Sequence, residues 1–466
     1  MSGPRGDELL ALCKDSLARA GAAHAEAWAT HRARGCARFA GGELGQHMQL
    51  EEPLCVVRVA IGSRVAEAQT SRLEVSAIAE AIARAAKAAP LLPETEGFPG
   101  FAPAGDPATC PPRFAEDTAA ATPEARAALL APLLDRVRAA GLVAAGMLES
   151  SRSASAVATT EGCARAHDDT VASFKVWALE TPGAGGAAGY GGAMHQSLAA
   201  LPLERETERA VRMCALGKNP IELDAGRYDV VMEPAAIADL VEWLSTIAFG
   251  APEVEQGGSP MTSLGKRITG EHVTIRQDPT VADPALGFGV PFDREGTAKK
   301  RVTLIDHGVA RAILYDRTYA ARARTTSTGS ARLGEVGGPG AIGASNLHME
   351  GGAAASVDEL LAGIDRGLYV CRLHYVNGYL ETPRAVMTGL TRDGCFLVER
   401  GKIARAVGNM RFTDSFLEGL ARCDGMTRER TAIPTWLSAD SSMVVPAVRM
   451  RAFHFNGKSQ RAVTSP

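Results

Sequence analysis

The sequence lacks the cysteine pattern of a metal-binding or disulfide-linked protein. Its nine cysteines lie at least 19 residues from one another, and no C-x-x-C pair occurs. Zinc sites and disulfide scaffolds usually bring cysteines close together in sequence, whereas scattered cysteines are typical of reduced thiols packed among apolar side chains. The pattern therefore predicts a cytoplasmic protein and not a secreted one.

Long apolar runs and a strong excess of one charge are also missing. No window of about 18 uncharged apolar residues occurs, and Asp7, Glu8, Lys14 and Asp15 interrupt the segment where a signal peptide needs an apolar core. The formal net charge of −3 gives no electrostatic reason to bind nucleic acid or an anionic membrane. A chain of 466 residues with 46% hydrophobic residues is long enough for more than one folded domain.

The ten histidines do not supply the half-site of a helical zinc motif. None is followed by Glu, and no two are spaced by three, four or five positions. Two histidine ligands from one helix need such a spacing, because residues i and i+4 lie on the same face. The sequence therefore predicts no zinc site of this kind in the chain.

The first half of the sequence, residues 1–225, predicts a helix-and-sheet domain. Helical periodicity occurs in residues 7–21, 75–89, 122–140 and 203–216, and Ser71 and Glu74 form a capping-box pattern before the second helix. Extended runs occur in residues 25–31, 37–39, 54–61, 142–160 and 164–179, and we expect the last two to pair as neighbouring strands. The glycine-rich residues 183–192 predict a flexible loop.

The second half, residues 226–466, predicts a β-rich domain. Strand–turn–strand units occupy residues 302–314, 369–380 and 395–407, with turns at His307-Gly308, Asn377-Gly378 and Arg400-Gly401. Short helices are predicted in residues 356–367 and 413–421. Because runs of strands replace a βαβ series, the predicted fold class is α+β, with a mainly antiparallel C-terminal domain.

A strand followed directly by a helix occupies the central stretch, residues 228–250. An apolar run ends at Glu233-Pro234, and apolar residues then recur with helical spacing. Pro234 suits the first helical turn, and Gly250 is expected to end the helix in a left-handed conformation.

This junction resembles the zinc-binding junction of the TldD/PmbA family of peptidase-related proteins. Similar fragments follow in the family's order: Asp278-Pro279-Thr280, Phe292-Asp293-Arg294-Glu295-Gly296, Ser345-Asn346-Leu347, Gly367-Leu368-Tyr369-Val370, Asn377 with Thr382, and Glu399-Arg400-Gly401-Lys402-Ile403. In the metal-binding branch the helix reads His-Glu-x-x-x-His, and these three positions correspond here to Glu242, Trp243 and Ile247. Tryptophan cannot act as a general base, and isoleucine has no lone pair to offer a metal.

The resemblance implies the PmbA/TldE-like branch, in which this chain has no catalytic residue and binds no metal or other cofactor itself. The family's third ligand is a cysteine near the C-terminus, where residues 437–442 contain none. The implied partner is a zinc-bearing TldD-like subunit, or a second copy of this chain, and the implied substrate is an unfolded peptide. The partner's zinc would carry out hydrolysis, while this chain would hold the substrate and close the chamber wall.

Peptides are commonly held by exposed strand edges, which bind the backbone with little regard to sequence. On this ground Asn377, Gly378 and Thr382 are the candidate substrate-binding residues. The alternative is that Asn377-Gly378 forms a tight hairpin for purely local reasons.

Two other functions remain open. The chain could be a homodimeric peptide-binding or scaffolding protein without hydrolytic activity, or an enzyme with different chemistry around Glu242. Residues 338–343 fit G-x-G-x-x-G, but no clear strand precedes them and no apolar helix follows, so a nucleotide site is not favoured. Asp440, Ser441 and His454 have the side chains of a catalytic triad but lack a nucleophile-elbow sequence. Neither nucleic acid nor a membrane is an expected partner.

Overall fold

The computed structural model describes residues 3–105, 110–180, 186–334, 340–434 and 442–458. In the N-terminal half the helices are α1 (Gly6–Ala20), α2 (Val75–Ala88), α3 (Glu116–Ala119), α4 (Pro123–Ala139) and α5 (Leu203–Leu216). The strands are β1 (Ala25–Ala40), β2 (Glu43–Ile61), β3 (Arg64–Thr70), β4 (Val143–Thr159), β5 (Ala164–Leu179) and β6 (Ala188–His195).

These six strands form one antiparallel sheet in the order β3-β2-β1-β4-β5-β6. Residues two apart in a strand point to the same face, and the buried alanines Ala27, Ala29 and Ala37 of β1 keep this spacing. Helices α1 and α2 share a core with one end of this face, and α4 and α5 share a core with the other end. The long strands therefore support two hydrophobic cores side by side.

In the C-terminal half the helices are α6 (Pro234–Ala248), α7 (Ala251–Glu255), α8 (Arg317–Arg322), α9 (Val357–Ala362) and α10 (Phe416–Ala421). The first strands are β7 (Gly226–Met232), β8 (Ile275–Gln277), β9 (Val302–Asp306), β10 (Val309–Ala310), β11 (Ala331–Arg332), β12 (Ala341–Ile342) and β13 (Leu347–Met349). They are followed by β14 (Arg366–Glu381), β15 (Val386–Glu399), β16 (Lys402–Ala406), β17 (Met410–Ser415), β18 (Cys423–Met426), β19 (Thr431–Pro434), β20 (Ser442–Val445) and β21 (Val448–Lys458).

Two larger sheets organise this half. One runs β10-β9-β8-β13-β20-β19, and the other runs β14-β7-β21-β17-β15-β16 with β18 beside β21. Because β14 also pairs with β15, the strands β14, β7, β21, β17 and β15 close into a ring. Most pairings are antiparallel, whereas β7–β14 and β13–β20 are parallel. The α+β fold class and the mainly antiparallel C-terminal half are confirmed, while the domain boundary after residue 225 stays a prediction.

Helix α6 lies at the centre of this half. Its residues Ile237, Leu244 and Ile247 share one core with strand residues such as Leu368 and Phe412. A helix that is apolar around most of its circumference is buried on most sides, as α6 is. Within the described part of the chain, no helix combines the length and the apolarity that crossing a bilayer needs.

Several predicted elements have the observed bounds, and the turns at His307-Gly308 and Arg400-Gly401 are confirmed. The predicted capping box at Ser71 is wrong, because α2 begins only after Glu74, which is extended and makes no side-chain cap. Gly250 does not end α6 in a left-handed conformation. Its φ is −79°, and it directly precedes α7, so the chain re-enters a helix at once.

The flexible loop predicted for residues 183–192 is wrong for residues 188–192, which belong to β6, while residues 183–185 lie outside the described residues. Gly189 and Gly191 of β6 instead allow close packing against α5. A Cβ on Gly189 would lie 2.0 Å from the carbonyl oxygen of Ala210, and one on Gly191 would lie 2.1 Å from that of Glu206. Glycine therefore allows α5 to lie directly against the strand.

The hairpin predicted at Asn377-Gly378 is also wrong. Strand β14 runs through both residues to Glu381, and the chain reverses later, at the short 3-10 helix Thr382–Arg384. Helix α9 ends at Ala362 and not at Gly367, which lies in β14, and α10 begins at Phe416 with Ser415 as its N-cap. Of the other predicted features, residues 338–339 and 437–441, including Asp440 and Ser441, lie outside the described residues.

Candidate functional site

The three positions that correspond to the zinc motif all lie on α6, after the N-cap Glu233 and Pro234 at the first helical position. Ile247 is only 2% exposed and belongs to the hydrophobic core. Trp243 contacts the ring of Tyr379 edge to face, with 5.1 Å between the ring centroids. Glu242 is buried and is the one polar side chain of the three. The side chains present on α6 therefore do not fit a zinc ion.

No group of three or more His, Cys, Asp or Glu side chains arranged to hold a metal ion occurs among the described residues. His454, one of the three residues with catalytic-triad side chains, contacts Thr413 and Asp414. Its backbone N–H donates to Asp414, and its Nδ1 lies 3.1 Å from the carbonyl oxygen of Thr413.

A cavity of about 320 Å³ lies between α6 and β14. Asp239, Glu242 and Trp243 line it from the helix, and residues 372–376 line it from the strand. Asp239 and Glu242 are one helical turn apart, so both carboxylates lie on the same face of α6. The cavity therefore combines two acidic groups with an aromatic wall next to the positions of the zinc motif.

The charge balance at Asp239 is unusual for a carboxylate at a cavity. Among the described residues, no side chain or backbone N–H makes a hydrogen bond or ion pair with its oxygens. Burial raises the pKa of Asp239 to about 7, and Glu242 adds to the rise, while Arg372 and Lys175 oppose it. Burial lowers the pKa of Lys175, and the charge of Arg372 lowers it further.

Arg372 connects the cavity to the N-terminal sheet. Its Nη1 donates to Asp393 Oδ2 over 2.6 Å, and Trp177 Nε1 on β5 donates to the same oxygen over 2.8 Å. The guanidinium lies over the rings of Trp177 and Tyr190, at 5.3 and 5.0 Å from their centroids. Such charge-assisted and cation–π contacts hold the floor of the cavity in a fixed geometry.

The rim of the cavity contains a strained residue. The pairing of β14 with β15 shifts between His374 and Asn377, and Tyr375 within this bulge has a φ of +52°. A bulky residue in the left-handed region costs about 1–2 kcal/mol. Tyr375 is nonetheless 82% exposed, so the strain presents an aromatic ring to solvent instead of packing it. Bulges and strained residues of this kind often occur beside binding sites.

The three candidate substrate-binding residues have different positions relative to the cavity. Asn377 directly follows the lining residues, and its side-chain oxygen accepts a hydrogen bond of 2.8 Å from the N–H of Tyr379. Gly378 packs against Trp243, where a Cβ would lie 3.0 Å from the indole ring. Thr382 lies beyond the end of β14 and does not line the cavity. Their role in substrate binding stays a prediction.

Sequence reasoning identified Glu242 and Trp243 but missed Asp239, Arg372, Asp393 and Tyr375. One signal was present for the first of these. Asp239 and Glu242 are the acidic residues inside an otherwise apolar helix, at a spacing that places them on one face. The pairing of Arg372 with Asp393 depends on the bulged β14–β15 ribbon, and strand periodicity does not predict the position of a bulge.

A family model described as the PmbA/TldA metallopeptidase C-terminal domain matches residues 225–457. A metalloprotease from Methanothermobacter thermautotrophicus is 29% identical over 224 residues, which cover 48% of this chain and 46% of that protein. A zinc metalloprotease TldD homolog from Saccharolobus solfataricus is 30% identical over 149 residues, or 31% of this chain and 32% of that protein. The matches thus span about half the length of the curated relatives or less.

Solved structures share the fold over nearly the whole chain. The crystal structure of TldE from Thermococcus kodakarensis superposes with a TM-score of 0.86 and 19% identity, covering 96% of this chain and all of that one. A putative modulator of a DNA gyrase from Thermotoga maritima superposes with a TM-score of 0.80 and 18% identity, covering 96% and 98%. Together with the family model, these matches show that the chain belongs to the PmbA/TldD family of metallopeptidase-related proteins.

Proposed function

We propose that this chain is the TldE/PmbA-like subunit of a TldD/TldE-type metallopeptidase that trims or degrades unfolded peptides in the cytoplasm. It binds substrate and forms part of the chamber wall, while a zinc-bearing TldD-like partner supplies the metal. This chain itself contributes no metal ligand and no catalytic base. In the heterodimer its contribution is the orientation of the peptide.

One observation carries this proposal. Helix α6 is retained as a structural element, but Trp243 and Ile247 now pack where the motif needs a base and a ligand. Ile247 is part of the core, so a polar group at this position would have to be buried there. The scaffold is kept while the side chains for hydrolysis are replaced, as expected of a subunit that supports a partner's chemistry.

The cavity beside α6 supports a binding role for the same region. It is concave, has an aromatic wall and contains a small number of polar groups, which is the usual composition of a ligand site. Asn377 and Gly378 continue from its strand wall along β14. A peptide could therefore contact both the cavity and the strand next to it.

Co-expression with a zinc-bearing TldD-like chain encoded in the same genome tests the proposal. We expect a complex with zinc in the partner alone and cleavage of an unfolded protein only when both chains are present. A partner whose motif Glu is changed to Gln is the matched control, and it should assemble without cleaving. Size-exclusion chromatography, zinc quantification and peptide mass spectrometry provide the readouts.

Two results would contradict the proposal. Zinc bound at one equivalent by this chain alone, together with cleavage that a chelator abolishes, would make it a metallopeptidase in its own right. A homodimer that binds unfolded peptides, does not associate with the zinc-bearing chain and does not cleave the peptides would instead identify a peptide-binding or scaffolding protein.

A further inference from the structure

The cavity between α6 and β14 contains one acidic group whose partner is not supplied by the described residues. Asp239 lines the cavity and makes no hydrogen bond or ion pair there. A buried or half-buried carboxylate without a donor is costly, because it loses water without gaining a compensating interaction. Because Asp239 lines the cavity, a ligand can reach its carboxylate there.

The cations near Asp239 also interact with other carboxylates. Arg372 is a cation of β14 that lines the cavity, but its guanidinium is bound to Asp393 and lies over the rings of Trp177 and Tyr190. Lys175 on β5 interacts electrostatically with Asp239. It interacts in the same way with Glu242, which lies on the same face of α6 as Asp239. Arg372 is thus held by Asp393 and Lys175 acts on two carboxylates, so neither cation is committed to Asp239 alone, and a donor that enters the cavity can pair with it.

Aromatic rings complete the site. Trp243 lines the cavity, the exposed Tyr375 lies at its rim, and Tyr379 contacts Trp243. Aromatic faces attract ammonium and guanidinium groups by about 0.5–2 kcal/mol, and they also accept the aliphatic part of such a group. A volume of about 320 Å³ is sufficient for one alkylammonium or alkylguanidinium side chain.

We propose that this cavity binds an organic cation, an ammonium or guanidinium group, through Asp239 and the ring of Trp243, with Tyr375 at the rim. The source of the cation is a peptide, either its free amino terminus or a lysine or arginine side chain. This assignment of the source rests on the proposed function, whereas the cation site itself does not. The cavity would thereby select peptides by a basic group near the segment that lies along β14.

Small probes test the cation site without a partner subunit or cleavage. We expect n-butylammonium and n-butylguanidinium to bind the isolated chain in saturation-transfer NMR, and neutral n-butanol and anionic butyrate not to bind. Asp239→Asn should weaken binding of the cations by about tenfold or more, because a charge-assisted hydrogen bond is lost. Asp358→Asn, at an exposed position on α9, is the matched control and should leave binding unchanged.

Peptides then distinguish the two sources of the cation. The arms are a short alanine–leucine peptide with a free amino terminus, its acetylated form, and the acetylated form with one internal lysine. Binding of the first alone identifies the amino terminus, and binding of the third identifies the side chain. Equal binding of the acetylated peptide without lysine would overturn the proposal.

Three further results would overturn it: no binding of either small cation, equal binding by Asp239→Asn, or preferential binding of butyrate, which would indicate an anion site at Arg372 and Lys175. Thermal melting confirms that each variant is folded. Because these probes need no zinc subunit, their failure refutes the cation site and leaves the proposed function standing. Lack of cleavage by the heterodimer refutes only the proposed function.

Discussion

Replacing Asp239 by asparagine should stabilise the protein at neutral pH. The pKa of this carboxyl group is raised from its ordinary 3.8 to about 7 by burial and by Glu242. A group whose folded-state pKa is raised above its unfolded value holds its proton more tightly in the folded state. For an acid, the folded protein therefore loses stability as the pH rises through the interval between the two values. Asparagine is neutral in both states and avoids this loss.

The size of the effect follows from the interval between the two pKa values. About 3 pH units at about 1.4 kcal/mol per unit give an upper limit of about 4 kcal/mol. Because the carboxylate faces a cavity and is not fully enclosed, solvent screening reduces this value, and we expect about 1–2 kcal/mol. In a protein of 466 residues such a gain corresponds to a rise in Tm of about 1–2 °C.

Urea denaturation at pH 4, 5, 6, 7 and 8 measures this prediction for the wild-type protein, Asp239→Asn and the control Asp358→Asn. The advantage of Asp239→Asn should be smallest near pH 4, increase up to about pH 7 and then remain constant. The control should follow the wild-type protein throughout. An advantage that does not change with pH, or a loss of stability at pH 8, would refute the reasoning.

Three other predictions concern the surrounding structure. Asp393→Ala should lower the free energy of unfolding, measured with urea, by about 3–5 kcal/mol, because the buried Arg372 loses the Asp393 carboxylate. Asp393→Asn should lower it by less, since asparagine tolerates the left-handed backbone of this position. Gly189→Ala should lower the free energy of unfolding by more than about 2 kcal/mol, because the new Cβ would lie 2.0 Å from a carbonyl oxygen of α5. The control Gly45→Ala, whose Cβ would have no heavy atom within 4 Å, should leave the melting temperature nearly unchanged. All nine cysteines lie in the described residues, and Cys110 alone is not buried. Iodoacetamide should therefore label at most one thiol per native chain, and none in Cys110→Ser, as measured by mass spectrometry. Labelling of several thiols would contradict this packing.

The fold was largely predictable where one periodic pattern decides the element. Helix α5 has the predicted bounds, and β4 and β5 pair as expected around their turn. The failures occur where tertiary packing overrides a local preference. Asn377-Gly378 has strong turn propensity, yet both residues lie within β14, where Gly378 packs against Trp243. The left-handed residues of this ribbon include Tyr375 and Ala385, whose side chains do not predict that conformation.

The candidate site was only partly predictable, for a related reason. Matching the motif positions identified the wall of the cavity at Glu242 and Trp243, because this correspondence depends on one helix. The other wall depends on the register shift of the β14–β15 pair between Val370 and Arg372, which places Asp393 of β15 beside Arg372. Contacts of this kind combine a register shift with residues from two sheets, and neither composition nor periodicity contains that information.

The stability experiment and the binding experiment constrain each other, because both depend on the same carboxylate. If Asp239 is retained to bind a cation, its ionised form is unfavourable in the free protein and becomes favourable when the cation is bound. Asparagine should then increase stability and weaken cation binding in the same variant, as expected where function requires an unfavourable group. The cation should also bind more tightly as the pH rises from 5 to 8, since binding requires the ionised carboxylate. A variant that gains stability without losing affinity would show that Asp239 is unfavourable in the fold but has no part in binding.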